Sequence, residues 1–246
     1  MSDPCFFIAE PRPKIAIVYI YPLNGFQGFS MKALEFAQSY QRNPPGLKHE
    51  TIIVANGEPI TQSSKDLFEP LQNKVYIDHD NSGWDIGGFQ AAARHPVSEG
   101  AEMMVFFGAQ TYFRNSGWLA RMHEVFMELG DTLYGSSGNK GDERFGVFPH
   151  VRTTAFWCSR ALFNGYPHQV KECGAGLDGE RYRMEHGRDC FTSWVIRQGR
   201  QPWIVGRDCV FPIQQCDSLP GGYHNGDQHN LLVGDRMTCP GYYHTP

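Results

Sequence analysis

At 246 residues, 41% of them apolar, the chain has the length and the core for one large domain. Its 22 basic and 26 acidic side chains leave a formal net charge of -4 with no basic run or stripe, which argues against nucleic acid as the main partner. No apolar stretch approaches the roughly 20 residues of a membrane-spanning helix. The opening Met-Ser-Asp-Pro-Cys-Phe-Phe lacks the basic start and long apolar run of a signal peptide. The expectation is a soluble, cytoplasmic chain without an integral membrane segment. Seven cysteines, an odd number with no C-x-x-C pair, speak against a zinc ribbon and for free thiols in a reducing compartment.

Residues 14–21 form a nearly continuous run of β-branched and aromatic side chains, the pattern of a strand buried on both faces. Ser30 reads as the N-cap of a helix over 31–41, which Asn43-Pro44-Pro45-Gly46 ends. A second strand covers 49–55, with Asn56-Gly57 as its turn. A polar helical stretch contains 65–71, and a third strand covers 74–77. The segment from Asp78 to Gln90 is acidic, amide-rich and glycine-rich, and it opens an alanine-rich helix near Ile86. A fourth strand covers 102–107 and ends at Gly108-Ala109-Gln110. Apolar residues at helical spacing predict a helix over 118–129. Strands follow over 132–134 and 152–158, separated by a glycine-rich loop. A helix over 190–198 closes on Gly199, and a short strand covers 201–205. Beyond Phe211 the chain is turn-rich and reads as an irregular wrapping tail.

Alternating strands and helices predict an α/β fold with an open, mostly parallel twisted sheet flanked by helices. Ligands of such sheets sit beyond the carboxyl ends of the strands. Two strand ends qualify, the Asp78–Gly88 loop and the Gly108–Gln110 turn. No repeat or low-complexity linker divides the chain. The reading is a single domain over 1–246, with a core at about 14–205 and a tail over 206–246.

The order of elements resembles the GT-A glycosyltransferase fold. The segment Asn81-x-Gly83-x-Asp85-Ile86-Gly87-x-Phe89 resembles a pattern of rhamnan-synthesis-type glycosyltransferases. The strand ending Ile52-Ile53-Val54-Ala55-Asn56-Gly57, the segment 152–163 and the later segment 189–199 match the same order of parts. The resemblance covers roughly residues 14 to 205. It implies a transferase that moves a sugar from a nucleotide-sugar donor to a glycan or other hydroxyl acceptor. It further implies donor contacts from Asn81, Gly83, Asp85, Gly87, Gly88, Gln110 and Arg152. Many such enzymes hold Mn²⁺ or Mg²⁺ on an Asp-x-Asp at the end of the fourth strand, where this chain has Gly108-Ala109-Gln110. Either the enzyme works without a metal or another acidic group substitutes, Asp78 and Asp80 having the right spacing one strand early.

An inverting transfer wants a carboxylate beside the acceptor hydroxyl. By the resemblance the acid opening the last helix is the base, which is Asp189, with Glu185 and Asp178 as further candidates. Without a metal the departing diphosphate needs cations, and Arg152, Arg181, Arg183 and Arg188 are available. Asp85 and Asn81 also have a purely structural explanation as caps of the turn and helix. His224, Asp227 and His229 form a possible transition-metal set in the tail, which leaves a metal-dependent hydrolase as one alternative. A non-catalytic nucleotide-sugar or glycan-binding module is the other, suggested by the missing Asp-x-Asp.

Overall fold

The computed structural model describes residues 14–23, 29–142, 144, 147–172, 179–216 and 230–235. The first half of the chain alternates as its pattern predicts. Strand β1 (Ile15–Pro22) leads to α1 (Phe29–Arg42), β2 (Glu50–Asn56), α2 (Gln62–Asp66), β3 (Lys74–His79), α3 (Trp84–Arg94) and β4 (Met103–Phe107). A two-residue β5 (Tyr112–Phe113) precedes α4 (Trp118–Leu129). Short strands β6 (Tyr134–Gly135), β7 (Gly138–Asn139) and β8 (His150–Val151) then lead into β9 (Ala155–Ser159). Helices α5 (Arg160–Gly165), α6 (Glu180–Glu185) and α7 (Phe191–Arg197) follow. Strands β10 (Trp203–Val205), β11 (Val210–Pro212) and β12 (Val233–Gly234) complete the described chain.

The central sheet has eight strands in the order β11-β10-β6-β9-β4-β1-β2-β3. Pairs β1·β2, β2·β3, β1·β4 and β6·β10 are parallel, and β9 runs antiparallel between β4 and β6. Strand β1 lies centrally, and every one of its residues is buried. Its side chains alternate between two cores. Ala16, Val18 and Ile20 pack with α3, α5 and α7, while Ile17, Tyr19 and Tyr21 pack with α1 and α4. A strand covered on both faces needs apolar residues at every position, which is why 14–21 reads as a continuous run.

Several boundaries differ from the sequence reading. Helix α1 begins at Phe29, so Ser30 lies inside it rather than capping it. Helix α2, capped by Thr61 accepting from the Ser64 N–H, ends at Asp66, so the residues to Leu71 lie outside it. Strand β3 runs on through Asp78 and His79, which pair with Ala55 and Asn56. Cys190 is the N-cap of α7, its Sγ accepting from the Ser193 N–H, so Asp189 precedes the helix. The tail is less irregular than expected, since Val233 and Gly234 pair with Phe113 and Tyr112 just beyond the end of β4. Among the described residues no helix is long and apolar enough to cross a membrane.

Candidate functional site

The strand order reverses beside β1: β2 and β3 extend to one side and β4 lies on the other. Crevices in α/β sheets form at such a switch, because the connections leave to opposite faces there. The turn after β4 is held open at that point. Tyr19 of β1 donates its hydroxyl to the Ala109 carbonyl at 3.0 Å, and the Gly108 N–H and the Thr111 hydroxyl both donate to the Thr154 carbonyl. Above the turn lies a cleft of about 420 Å³.

Five separate segments build its wall. Asp85 comes from the first turn of α3 and Gln110 from the turn after β4. Arg152 and Thr153 come from the link between β8 and β9, and Arg181 and Glu185 from α6. Asp235 arrives from the far end of the chain, carried in by the β5·β12 pair. On α6, Arg181 and Glu185 are one turn apart, so both face the cleft as an ion pair at 3.3 Å. Glu185 also accepts the Thr153 hydroxyl at 2.8 Å. Arg152 pairs with Asp235 at 2.9 Å, both side chains largely buried, yet the Arg152 Nη1 group has no hydrogen-bond partner.

Asp85 differs from the other acids. Its carboxylate accepts no hydrogen bond from a described residue, and it lines the cleft. Burial pushes its carboxyl up to about 6, with Arg181 pulling the other way and Glu185 adding to the rise. His150 also lines the cleft, is buried, and donates from Nδ1 to the Phe148 carbonyl at 2.6 Å, since a carbonyl only accepts. Burial lowers its pKa to about 4, so at neutral pH it is uncharged and its Nε2 offers a lone pair. His186, 5.3 Å away between ring centres, is also shifted down by burial.

The structure brings Asp85, Gln110, Arg152, Arg181 and Glu185 together in one cleft. Asp189 does not line this cleft. Its carboxylate pairs with Arg197 at 3.1 Å at the surface, and it borders a second cleft with Tyr166, His168, Glu180 and Arg183 on the other side of α6. Asp78 and Asp80 lie at the β3 edge of the sheet, with two strands between them and β4. Asp78 accepts from the Ile60 N–H of the loop after β2, and Asp80 from the Ser82 N–H at 2.9 Å in its own turn. His224, with Asp227 and His229, lies outside the described residues, as does Asp178.

Asn81, Gly83, Gly87 and Gly88 shape the loop and are not part of the cleft wall. Asn81 is left-handed (φ 67°), and its carbonyl accepts from the Trp84 N–H at 3.1 Å. A Cβ on Gly83 would stand 2.2 Å from the Val170 carbonyl oxygen, and one on Gly87 only 1.8 Å from that of Ser82. One on Gly88 would press on Ile20 of β1 at 2.8 Å. These contacts seat α3 against the sheet and so aim Asp85. Trp84 and Asp235 were not foreseen. A tryptophan inside the motif, directly before Asp85, was the available signal for the first, whereas nothing local marks the second.

No protein-family model and no curated protein matches the sequence. Solved structures do resemble the fold. The mannosyltransferase PcManGT from Pyrobaculum calidifontis, solved with GDP-Man and Mn²⁺, aligns with a TM-score of 0.51 at 13% identity, over 78% of this chain and 55% of that one. HddC from Yersinia pseudotuberculosis aligns with a TM-score of 0.43 at 13% identity, over 64% and 82%. The galactosyltransferase LgtC, solved with donor and acceptor sugar analogues, aligns with a TM-score of 0.44 at 12% identity, over 74% and 64%. The eight-stranded sheet with helices on both faces is therefore a GT-A-type α/β fold.

Proposed function

We propose that the protein is a nucleotide-sugar-dependent glycosyltransferase whose reaction centre is the cleft beyond β4, with a hydroxyl of a glycan or similar molecule as acceptor. The observation that carries this reading is the unpartnered Asp85 carboxylate. It faces Glu185, Arg152 and Arg181 across a cleft at the switch in strand order. In the transfer, the acceptor oxygen bonds to the anomeric carbon while the bond from that carbon to the diphosphate oxygen breaks. The bonding electrons leave with the diphosphate, and the acceptor proton passes to Asp85. A carboxyl with a pKa of about 6 is ionised at pH 7 yet basic enough to take that proton. Glu185, held by Arg181 and Thr153, accepts hydroxyls of the sugar. Arg152, with one N–H unpartnered, sets positive charge against the departing diphosphate.

The mannosyltransferase of similar fold holds Mn²⁺. The described residues here give such an ion no ligand set. Gly108-Ala109-Gln110 offers no carboxylate, and Glu185 and Asp235 are each engaged by an arginine. Among the described residues no group of three or more His, Cys, Asp or Glu gathers closely enough to hold a metal. No step is therefore routed through one. The same bare strand end favours a second reading, a module that binds nucleotide sugars without turning them over.

Thermal shift against nucleoside diphosphates and nucleotide sugars, each with Mn²⁺ and with EDTA, tests the proposal. A ligand at 100 times its dissociation constant stabilises the fold by about 2.7 kcal/mol. A selective shift from one nucleotide family that persists in EDTA, with product formed from an acceptor, is the expected result. Binding without product favours the module, and no shift from any nucleotide overturns both.

A further inference from the structure

Trp84 is the anomaly of this site. Its backbone is left-handed (φ 54°), directly after Gly83 at φ 68°, and a bulky residue holds that conformation only against steric strain. Folded proteins keep tryptophan for the large apolar area it buries, yet this side chain is 39% exposed. The side chain thus recovers little burial in return for a strained backbone. The exposed indole lines the cleft next to Asp85, and the Arg181 guanidinium stands over its ring at 4.9 Å from the centroid. Arg181 is fixed in turn by Glu185, so the ring is held in place from its cationic side.

We infer that Trp84 is a specificity-determining platform on which the sugar ring of the donor stacks, an inference that rests on the transferase reading. The chemistry around the indole selects that part of the ligand. Asp85 and Glu185 together outnumber Arg181, so the immediate surroundings are net negative. Neutral hydroxyls donate well to such carboxylates, whereas phosphates are repelled and fall instead to Arg152. A sugar ring offers a C–H face to the indole and a hydroxyl edge to Glu185, leaving Asp85 to the acceptor hydroxyl, a combination that a nucleobase, poor in hydroxyls, does not present.

Isothermal titration of the full chain with GDP, UDP and a panel of GDP- and UDP-hexoses tests this, using Trp84→Gly alongside the unsubstituted protein. Glycine adopts the left-handed conformation freely, so Trp84→Gly is expected to keep or raise Tm. Its affinity for the matching nucleotide hexose should fall about tenfold, the scale of one lost aromatic contact. Affinity for the corresponding free diphosphate should change less than about twofold. Trp84→Leu, which keeps an apolar side chain without a ring, should show the same selective loss. Unchanged affinity for the nucleotide hexose in Trp84→Gly, or an equal loss for the free diphosphate, overturns the platform while leaving the transferase reading standing. Failure of the unsubstituted protein to bind any of these ligands overturns the transferase reading and the platform with it.

Discussion

The ends of β3 and β4 look alike as sequence and behave differently in the fold. Both finish an apolar strand in small, polar residues. The β3 end is tightly filled: Gly83 and Gly87 lie where a single added carbon would strike backbone oxygens of Val170 and Ser82. The β4 end is open, and a Cβ added to Gly108 would meet its nearest atoms, including Asp85 Oδ2, only at 3.7 Å. Sheet order accounts for the contrast. Strand β3 is an edge strand whose loop must fold back over the sheet to start α3, whereas β4 abuts β1 where the connections diverge and leave a crevice. The glycine-rich loop is thus scaffold, and it delivers one side chain, Asp85, to the neighbouring strand end.

The sharpest way to break this division is Asp85→Asn. If Asp85 is the loop's contribution to chemistry, turnover should fall by about 10² to 10⁴, measured as kcat with the donor identified by thermal shift, while donor binding largely survives. Next in size is Gly87→Ala, which forces backbone apart and should cost about 3 kcal/mol in denaturant unfolding. Gly108→Ala, by contrast, should stay within about 0.5 kcal/mol of the parent and yet weaken donor binding, because its methyl group enters the open cleft. Equal stability losses at the two glycines would erase the distinction between scaffold and site.

A smaller effect is readable in pH. Asp85 has a folded pKa of about 6, above the 3.8 of a free aspartate, so the folded state binds its proton more tightly than the unfolded state. Stability from this group is present at low pH and is lost as pH rises through 4 to 6. Above pH 6, Asp85→Asn should therefore be more stable than the parent, by roughly 1–3 kcal/mol, with the difference vanishing near pH 4. His150 runs the opposite way: its folded pKa of about 4 means stability falls as pH drops below 6.5, and that slope should remain in the variant. Smallest of all is Asp189→Asn. Its surface pair with Arg197 contributes at most about 1 kcal/mol, and kcat should stay within about twofold of the parent. A large loss of turnover here would move the reaction centre to the second cleft on the far side of α6.

Much of this architecture was legible in the chain. The unbroken apolar run of β1 reported burial on both faces, and the spacing from Trp118 to Leu129 marked α4 at its observed limits. The Asn81–Phe89 segment located the strand-to-helix turn and singled out Asp85. Local reading says less where an answer depends on distant partners. Asp189 looked like an acid opening a helix, but Cys190 takes the cap and the carboxylate turns to Arg197. Asp78 and Asp80 had metal-like spacing, but hydrogen bonds to Ile60 and Ser82 absorb them.

Sequence alone determined what nearest neighbours and periodicity control: which segments are strands and helices, which faces are apolar, and where glycine lets the chain turn left-handed. Tertiary structure alone decided which charges meet. Strand order placed β4 beside β1, the β5·β12 pair carried Asp235 to Arg152, and α6 turned Arg181 and Glu185 toward Asp85. A carboxyl titrates near 6 only when protein displaces the water around it, and that displacement comes from segments far apart in the chain and close only in the fold.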